Sequence, residues 1–150
     1  MAAQLWLLRH GEAVSHAADD ASRELTPRGE EQARAAGRAL AALGLAFGAV
    51  YTSPKLRARR TAELACESLG VQPIVHEPLR AGFTERDARE LVATGENDNV
   101  LVVGHMPDLA EIVHDLTGAR VELRTGGAAG VLGSNLIALL GPRELQEIGT

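Results

Sequence analysis

The stretch QLWLLRHGE, residues 4–12, decides the fold. Residues 4–8 are almost entirely apolar, which is typical of a strand that is buried on both faces of a sheet. The apolar run then ends abruptly in two basic side chains, a glycine and a glutamate. In open α/β sheets, ligands bind beyond the carboxyl ends of the strands. The stretch therefore predicts a buried strand that carries basic residues to a binding site.

The composition indicates a globular domain with an aliphatic core. The chain has 150 residues, of which 45% are hydrophobic and only 3% aromatic. This length predicts a single domain over residues 1–150. The net charge of −5 argues against nucleic acid as a partner, because binding to its backbone requires a surplus of cations. One cleft can still be basic, since net charge does not describe the local distribution.

Cysteine usage and the N-terminal sequence predict a cytoplasmic protein. Cys66 is the single cysteine, so no intramolecular disulfide can form and a reduced compartment is expected. Cys66 lies in a helical pattern without neighbouring histidines, which favours a packed core thiol over a nucleophile. The N-terminal apolar run is too short for a signal peptide or a membrane span, so no membrane association is expected.

Apolar strands alternate with amphipathic helices along most of the chain. Strands are predicted within residues 4–8, 47–52, 71–78 and 99–105, and helices within residues 25–44, 53–70, 83–94 and 106–118. The tail, residues 120–141, alternates and is punctuated by glycines, which favours two antiparallel strands. We therefore predict an α/β fold: a three-layer sandwich with a mostly parallel central sheet, helices on both faces and a C-terminal antiparallel hairpin.

Local signals predict where the first two helices begin. In the first helix, Thr26 is suited to the cap position and Pro27 to the first turn. In the second helix, Ser53 is the predicted cap and Pro54 the first residue. One apolar stripe along the first helix consists of Ala33, Ala36, Leu40 and Leu43.

Chemically distinctive side chains follow three of the predicted strands. Arg9 and His10 follow the first strand, Ser53 and then Arg57 the second, and His105 the strand within residues 99–105. Each alone has an ordinary interpretation as a surface cation or a structural histidine. Their convergence on one edge of a sheet favours a phosphate site, because arginines form forked hydrogen bonds with phosphate oxygens and helix N-termini add partial positive charge.

A histidine at the centre of such a site suggests a nucleophile. A neutral imidazole nitrogen can attack phosphorus and hold the phosphoryl group covalently. The arginines would then stabilise the charge that develops on the phosphate oxygens in the transition state. The sequence contains no P-loop, and the strand ends deliver no clear set of metal ligands. We therefore expect neither a metal nor another cofactor.

Four blocks of sequence form an ordered set: LLRHGEA at residues 7–13, LTPRGEEQA at 25–33, YTSPKLRARRTAE at 51–63 and VVGHMPDL at 102–109. The set resembles the histidine phosphatase superfamily, the phosphoglycerate mutase-like proteins. Within it, the short chain and the loop rich in alanine and aspartate before Leu25 are similar to the SixA-type phosphohistidine phosphatases. A chain of this length has no room for the insertions that cover the site in many mutases.

The resemblance implies a role for each core residue. His10 would be the phosphorylated nucleophile, and Arg9 and Arg57 would hold the phosphate. His105 would be the second histidine that contacts the phosphate. Gly11 would permit the close turn after the first strand and a close approach of the backbone to the phosphate, so it is expected to be a substrate-binding residue.

Two further side chains are candidates for substrate binding. Ser53 follows the second strand at the same edge of the sheet, and His16 lies in the loop after the RHG stretch, where it is suited to the rim of the pocket. By the same pattern, Glu12 is expected to shape the loop rather than to act in catalysis.

The resemblance implies a metal-independent phosphatase, but one usual feature is missing. In many family members a glutamate general acid lies near a segment like PLRAGF, whereas residues 79–81 are Leu-Arg-Ala here, and the nearby Glu77, Glu85 and Asp87 fit surface roles. An oxygen leaving group needs a proton, since water-like oxygen acids have a pKa of roughly 16. An imidazole, with a pKa of about 6.5, depends less on a dedicated acid.

The expected activity is dephosphorylation of phosphohistidine in a signalling or phosphotransfer protein. Two alternatives stay open: a phosphomonoesterase acting on small metabolite phosphates, and a non-catalytic phosphate-binding module. The presence of all the core residues argues against the module. The missing acid and the short chain favour phosphohistidine. The expected partner is a phosphorylated protein of the histidine-phosphotransfer type, or else a small phosphorylated substrate.

Overall fold

The computed structural model describes residues 2–95 and 97–150. Within these residues the strands are β1 (Gln4–Arg9), β2 (Phe47–Thr52), β3 (Pro73–Val75), β4 (Asn99–Gly104), β5 (Ala128–Leu132) and β6 (Asn135–Leu140). The α-helices are α1 (Pro27–Ala42), α2 (Leu56–Leu69), α3 (Glu85–Thr94), α4 (Asp108–Thr117) and α5 (Pro142–Ile148). In the part of the chain that is described, no helix combines the length and the apolar character needed to cross a bilayer.

The strands form one sheet in the order β3-β2-β4-β1-β5-β6. β1 is parallel to β4, and β2 is parallel to both β4 and β3. β5 runs antiparallel to β1 and to β6, so the C-terminal hairpin lies at an edge of the sheet. The mostly parallel sheet with an antiparallel edge confirms the predicted α/β fold.

Helices cover both faces of the sheet. On one face, Leu5 and Leu7 of β1 belong to a core that includes buried side chains of α3 and α4. On the other face, Trp6 and Leu8 belong to a core with side chains of α1, α2 and α5. The strand reads as a continuous apolar run because alternate side chains enter different cores. Since each such side chain stabilises the fold by about 1.5–3 kcal/mol when it is fully buried, β1 is anchored from both sides.

Helix α1 begins as predicted. The Thr26 hydroxyl accepts a hydrogen bond from the Gly29 N–H at 3.0 Å, and Pro27 is the first helical residue. The predicted apolar stripe is wrong at its last member, Leu43, which is 47% exposed. Leu43 is the C-cap, so it lies beyond the helical turns that face the core.

Helix α2 begins later than predicted, and the assignment of Ser53 as its cap is wrong. The helix starts at Leu56 with Lys55 as the N-cap, and no side chain caps it. The Ser53 hydroxyl instead accepts from the N–H of Lys55 at 3.2 Å and pairs with the ring of His105 at 2.8 Å. Because the Ser53 hydroxyl makes these two contacts before the helix begins, it does not cap the first helical turn.

Cys66 lies on α2 in the core that includes α1. Burial raises the pKa of its thiol to about 11. A thiol that stays protonated at neutral pH is a poor nucleophile. The prediction of a packed core cysteine is confirmed.

Helices α1 and α2 touch backbone to backbone at Gly37. A Cβ atom built at this position would collide with the carbonyl oxygen of Ala65 on α2. The absence of a side chain at Gly37 therefore sets how closely the two helices approach.

We expect Gly37→Ala to lower the free energy of unfolding by up to about 2 kcal/mol, because an overpacking cost of about 1–3 kcal/mol outweighs the helix-propensity gain of about 1 kcal/mol. Denaturant midpoints at an unchanged m value measure the effect. The matched control is Ala41→Gly at an exposed position of the same helix, where propensity alone predicts a loss of about 1 kcal/mol. A Gly37→Ala protein that is more stable than wild type would contradict the close contact.

Candidate active site

Three strand ends lie side by side at the carboxyl edge of the sheet, as predicted from the sequence. β1, β4 and β2 are neighbours in the sheet. The N–H of His10 donates to the carbonyl of Gly104 at 3.2 Å, and the N–H of Ser53 donates to the carbonyl of Val103 at 3.1 Å. The rings of His10 and His105 consequently come within 5.3 Å of each other, measured between their centroids.

His10 is held as a neutral imidazole with one defined tautomer. Its ring is almost buried, with 7% exposed. Nδ1 lies 2.7 Å from the carbonyl oxygen of Gly11, and because a carbonyl can only accept, Nδ1 carries the proton. Burial, together with the charges of Arg57 and Arg9, lowers the pKa of His10 to about 4, although the Gly11 hydrogen bond opposes this. At neutral pH the lone pair of Nε2 is therefore free.

His105 is held by Ser53 rather than by a carbonyl. Nε2 of His105 lies 2.8 Å from the Ser53 hydroxyl, which already accepts from the N–H of Lys55. The hydroxyl proton can then point to Nε2, which leaves the ring proton on Nδ1. Burial, the neighbouring His10 and the charge of Arg57 lower the pKa of His105 to about 3. A neutral His105 can offer one N–H donor to a ligand.

Each of the two arginines is fixed by one end of its guanidinium. Nη1 of Arg9 donates to the carbonyl of Leu123 at 2.8 Å. Nη1 of Arg57 donates to the carbonyl of Asp20 at 2.8 Å, and Nη2 donates to the Asp20 carboxylate at 3.2 Å. Burial and the charge of Arg57 lower the pKa of Arg9. An anion between the two guanidinium groups would relieve this repulsion.

Three buried nitrogen atoms at the site have no hydrogen-bond partner among the described residues. They are Nε of Arg9, Nε of Arg57 and Nδ1 of His105. A buried donor without a partner costs about 1–3 kcal/mol, and more when the group is charged. The oxygens of a tetrahedral anion can accept hydrogen bonds from these donors, and two of the donors belong to cations.

Gly11 packs the site loop against the helices. A Cβ at Gly11 would collide with the carbonyl oxygen of Gly29 in the first turn of α1. The N–H of Gly11 donates to the Thr61 hydroxyl at 3.0 Å, and that hydroxyl donates to the carbonyl of Arg57 at 2.7 Å. The close approach predicted for Gly11 is therefore an approach to α1, and its N–H is already engaged.

The loop between β1 and α1 brings two charged residues to the site, Asp20 and Arg23, which the sequence reasoning missed together with Lys55, the residue before α2. Asp20 lies in a short 3-10 segment and pairs with Lys55 at 3.0 Å, with Arg23 at 3.1 Å and with Arg57 at 3.2 Å. The only sequence signal was a cluster of charges in a segment without periodicity. Nothing in that cluster indicated a contact with the second helix.

The other candidates in this loop lie apart from the two rings. His16 is exposed, which fits a rim position and not a contact with the buried histidines. Glu12 accepts a hydrogen bond from the Thr26 hydroxyl at 3.0 Å and lies 3.6 Å from Arg28. Its carboxylate is thus turned toward the start of α1, where it shapes the loop.

The carboxylates near residues 79–81 are engaged elsewhere. Glu77 pairs with Arg80, Glu85 pairs with Arg89, and Asp87 accepts hydrogen bonds from the N-cap Thr84. In residues 2–95 and 97–150, no three side chains of the His, Cys, Asp and Glu types are grouped as a metal site would require. The site described above consists of nitrogen donors, which suit an anion.

Comparison with known sequences identifies relatives over most of the chain. Residues 5–87 match the histidine phosphatase superfamily (branch 1). An uncharacterized protein from Picosynechococcus is 35% identical over 142 residues, which cover 85% of this chain and 84% of that protein. A 2,3-bisphosphoglycerate-dependent phosphoglycerate mutase from Thermobifida fusca is 45% identical over 71 residues, which are 45% of this chain but only 29% of the mutase.

A solved structure of the protein histidine phosphatase SixA, complexed with tungstate, has the same fold. The two structures superpose with a TM-score of 0.80 at 25% sequence identity, over 95% of this chain and 99% of SixA. The family match spans the first histidine, Arg57 and the helices between them, and the structural match extends to the rest of the sheet. The chain belongs to the histidine phosphatase superfamily and has the SixA-type fold.

Proposed function

We propose that this protein is a phosphatase that forms a covalent phosphohistidine intermediate on His10 and acts on phosphohistidine in a signalling or phosphotransfer protein. One arrangement carries the proposal. The proton of His10 is fixed on Nδ1 by the Gly11 carbonyl, so the Nε2 lone pair is available. Beside it lie buried donors of Arg9, Arg57 and His105, which have no partner in the described part of the chain. A nucleophile next to an oxyanion cradle suits phosphoryl transfer.

The proposed reaction has two steps, phosphoryl transfer to His10 and hydrolysis of the phosphohistidine. First, Nε2 of His10 forms a bond to phosphorus while the bond from phosphorus to the substrate imidazole breaks. The other nitrogen of the substrate ring takes a proton from solvent beforehand, so the leaving nitrogen keeps the electron pair and departs as part of a neutral imidazole. Second, water attacks the phosphorus and gives up a proton to solvent, and the bond to Nε2 breaks with its electron pair returning to the ring. The products are inorganic phosphate and an unmodified histidine on the partner.

The other residues of the site stabilise the charges that develop during the reaction. As Nε2 attacks, the ring of His10 becomes cationic, and the Gly11 carbonyl stabilises that charge through Nδ1–H. Nε of Arg9, Nε of Arg57 and Nδ1–H of His105 donate to the oxygens of the transferring group. Because these donors are already fixed, little reorganisation is needed in the transition state.

The state of the carboxylate that contacts the site cations, in the part of the chain that the structure describes, supports phosphohistidine as the substrate. Asp20 is the carboxylate that contacts the site cations, and its pairs with Lys55 and Arg23 hold its pKa well below the usual range. It is therefore ionised near neutral pH and cannot serve as a general acid. An imidazole leaving group, with a pKa of about 6.5, can be protonated by solvent. An alkoxide is a poor leaving group unless a general acid protonates it as the bond breaks, because its conjugate acid has a pKa of roughly 16. Phosphate esters would therefore be poorer substrates.

The likeness to a solved phosphatase structure supports the same choice. The match to SixA, a protein histidine phosphatase, covers 99% of that chain, whereas the match to the mutase covers 29% of its length. The match to a protein histidine phosphatase over nearly its whole chain therefore favours phosphohistidine as the substrate. We expect no cofactor, because each step above is carried by side chains and water.

Substitution of the proposed nucleophile tests the covalent step. We expect wild-type protein to take up label from a phosphorylated histidine-phosphotransfer domain as an acid-labile, alkali-stable phosphoenzyme. His10→Ala should form none, and its turnover should fall to the uncatalysed background, because no other nucleophile replaces Nε2. The control is His114→Ala, since His114 is exposed on α4. Undiminished turnover in His10→Ala would show that the nucleophile lies elsewhere.

A substrate panel tests the choice of phosphohistidine. We expect kcat/KM for a phosphorylated histidine-phosphotransfer domain to exceed the values for sugar phosphates, in assays that contain EDTA, with p-nitrophenyl phosphate as a reference substrate whose leaving group also needs no general acid. The reason is the leaving group, which needs no general acid. If sugar phosphates turn over far better, the protein is a metabolite phosphomonoesterase instead. Strong inhibition by EDTA alone would contradict the metal-independent steps.

The buried histidines predict how stability depends on pH. The pKa of His10 is about 4 in the folded protein, against about 6.5 in the unfolded chain. Because the unfolded state binds more protons in this interval, the free energy of unfolding should fall as the pH falls from about 6.5 toward 4. His10→Asn should make this decline shallower, measured by denaturant titrations across the interval. Equal slopes for both proteins would mean that His10 is not held neutral by the fold.

A further inference from the structure

The Asp20 carboxylate is placed among the cations of the site. It lies 3.0 Å from Nζ of Lys55, 3.1 Å from Nη1 of Arg23 and 3.2 Å from Nη2 of Arg57. About half of the Asp20 side chain is exposed. The chain as a whole has a net charge of −5, yet three cations cluster around Asp20. The Asp20 carboxylate partly neutralises their charge.

Arg57 is shared between Asp20 and the proposed phosphate position. Nη1 and Nη2 donate to the carbonyl and the carboxylate of Asp20. Nε, on the other edge of the guanidinium, is buried and has no partner in the described ranges. A phosphate oxygen on the edge formed by Nε and Nη2 would share Nη2 with Asp20. Two acceptors on one NH₂ group lie about 5 Å apart, for hydrogen bonds of about 2.9 Å and a fork of about 120°.

We propose that Asp20 is an affinity-determining residue whose carboxylate opposes the phosphoryl group across Arg57 and limits how tightly the site holds phosphate. The proposal rests on the phosphate site of the proposed function. Inorganic phosphate is the product of that reaction, and a cradle of fixed cations would retain it. A like charge at about 5 Å weakens such binding appreciably, because partly buried charges are screened less than exposed ones. Asp20 thereby favours product release.

The charge of Asp20 can be removed while the contact is kept. In Asp20→Asn, the side-chain amide oxygen can still accept from Nη2 of Arg57, and the main-chain hydrogen bond from Nη1 is unchanged. Arg57 itself is only 6% exposed, so its surroundings continue to hold it. Loss of an anchor would weaken phosphate binding, whereas loss of an opposing charge strengthens it. The sign of the change therefore separates the two roles.

Calorimetric titration of the full chain with inorganic phosphate tests the proposal. We expect Asp20→Asn to lower the Kd for phosphate by about tenfold at low ionic strength. The matched control is Asp19→Asn, a neighbouring substitution with the same change of charge. The Asp19 side chain accepts from the N–H of Ser22 at 2.9 Å, and asparagine preserves that cap. The control should stay within about twofold of wild type, and the effect of Asp20→Asn should shrink in about 1 M salt.

The outcomes separate this proposal from the proposed function. An unchanged or higher Kd in Asp20→Asn overturns the role of Asp20, while phosphate binding by the wild type leaves the proposed function standing. A decrease of similar size in Asp19→Asn also overturns it, since net charge would then explain the effect. If wild type and both variants bind no phosphate, the phosphate site and the role of Asp20 fall together.

Discussion

The parallel pairing of β1 with β4 is the interaction on which the site depends. Its register places the end of β1 beside Gly104, so that His10 donates its N–H to that residue and faces His105. A slip of one residue would send every side chain of β1 to the opposite core. Because Trp6 and Leu7 are buried in different clusters, such a slip is strongly disfavoured. Packing of β1 against the two cores thus fixes the register that places the two histidines beside each other.

The carboxyl edge of the sheet carries buried cations, although the chain as a whole is negatively charged. Arg9 and Arg57 are held with unpaired Nε donors, and each is fixed by a main-chain carbonyl on the far side of its guanidinium. Carbonyl dipoles position a cation without neutralising it, so the arginines keep their attraction for an anion. A carboxylate partner on each arginine would weaken that attraction. Among the described residues, an ion pair within 4.0 Å forms on Arg57, with Asp20, and not on Arg9.

The fold and the central residues of the site could be predicted because their signals are local. The apolar run of β1, the helix start at Thr26 and the strand ends that carry His10 and His105 are each readable from a few neighbouring residues. Ser53 was assigned as a cap because its neighbours suit one, but its hydroxyl is engaged by His105, a contact far along the chain. Helix α5 was missed because it is short and packs mainly through Leu145. Asp20 was missed because a loop without periodicity does not indicate where it folds back.

The burial of β1 on both faces also bears on the chemistry of the residue that follows it. The apolar surroundings of the strand continue as far as His10, whose depressed pKa has desolvation as its largest cause. Many nucleophiles depend on an adjacent base to remove a proton. Here folding lowers the pKa of His10. The imidazole is partly protonated in the unfolded chain near pH 6.5, and it becomes neutral when the chain folds. In the proposed reaction, the activation of this side chain would therefore come from the tertiary structure and not from a neighbouring base.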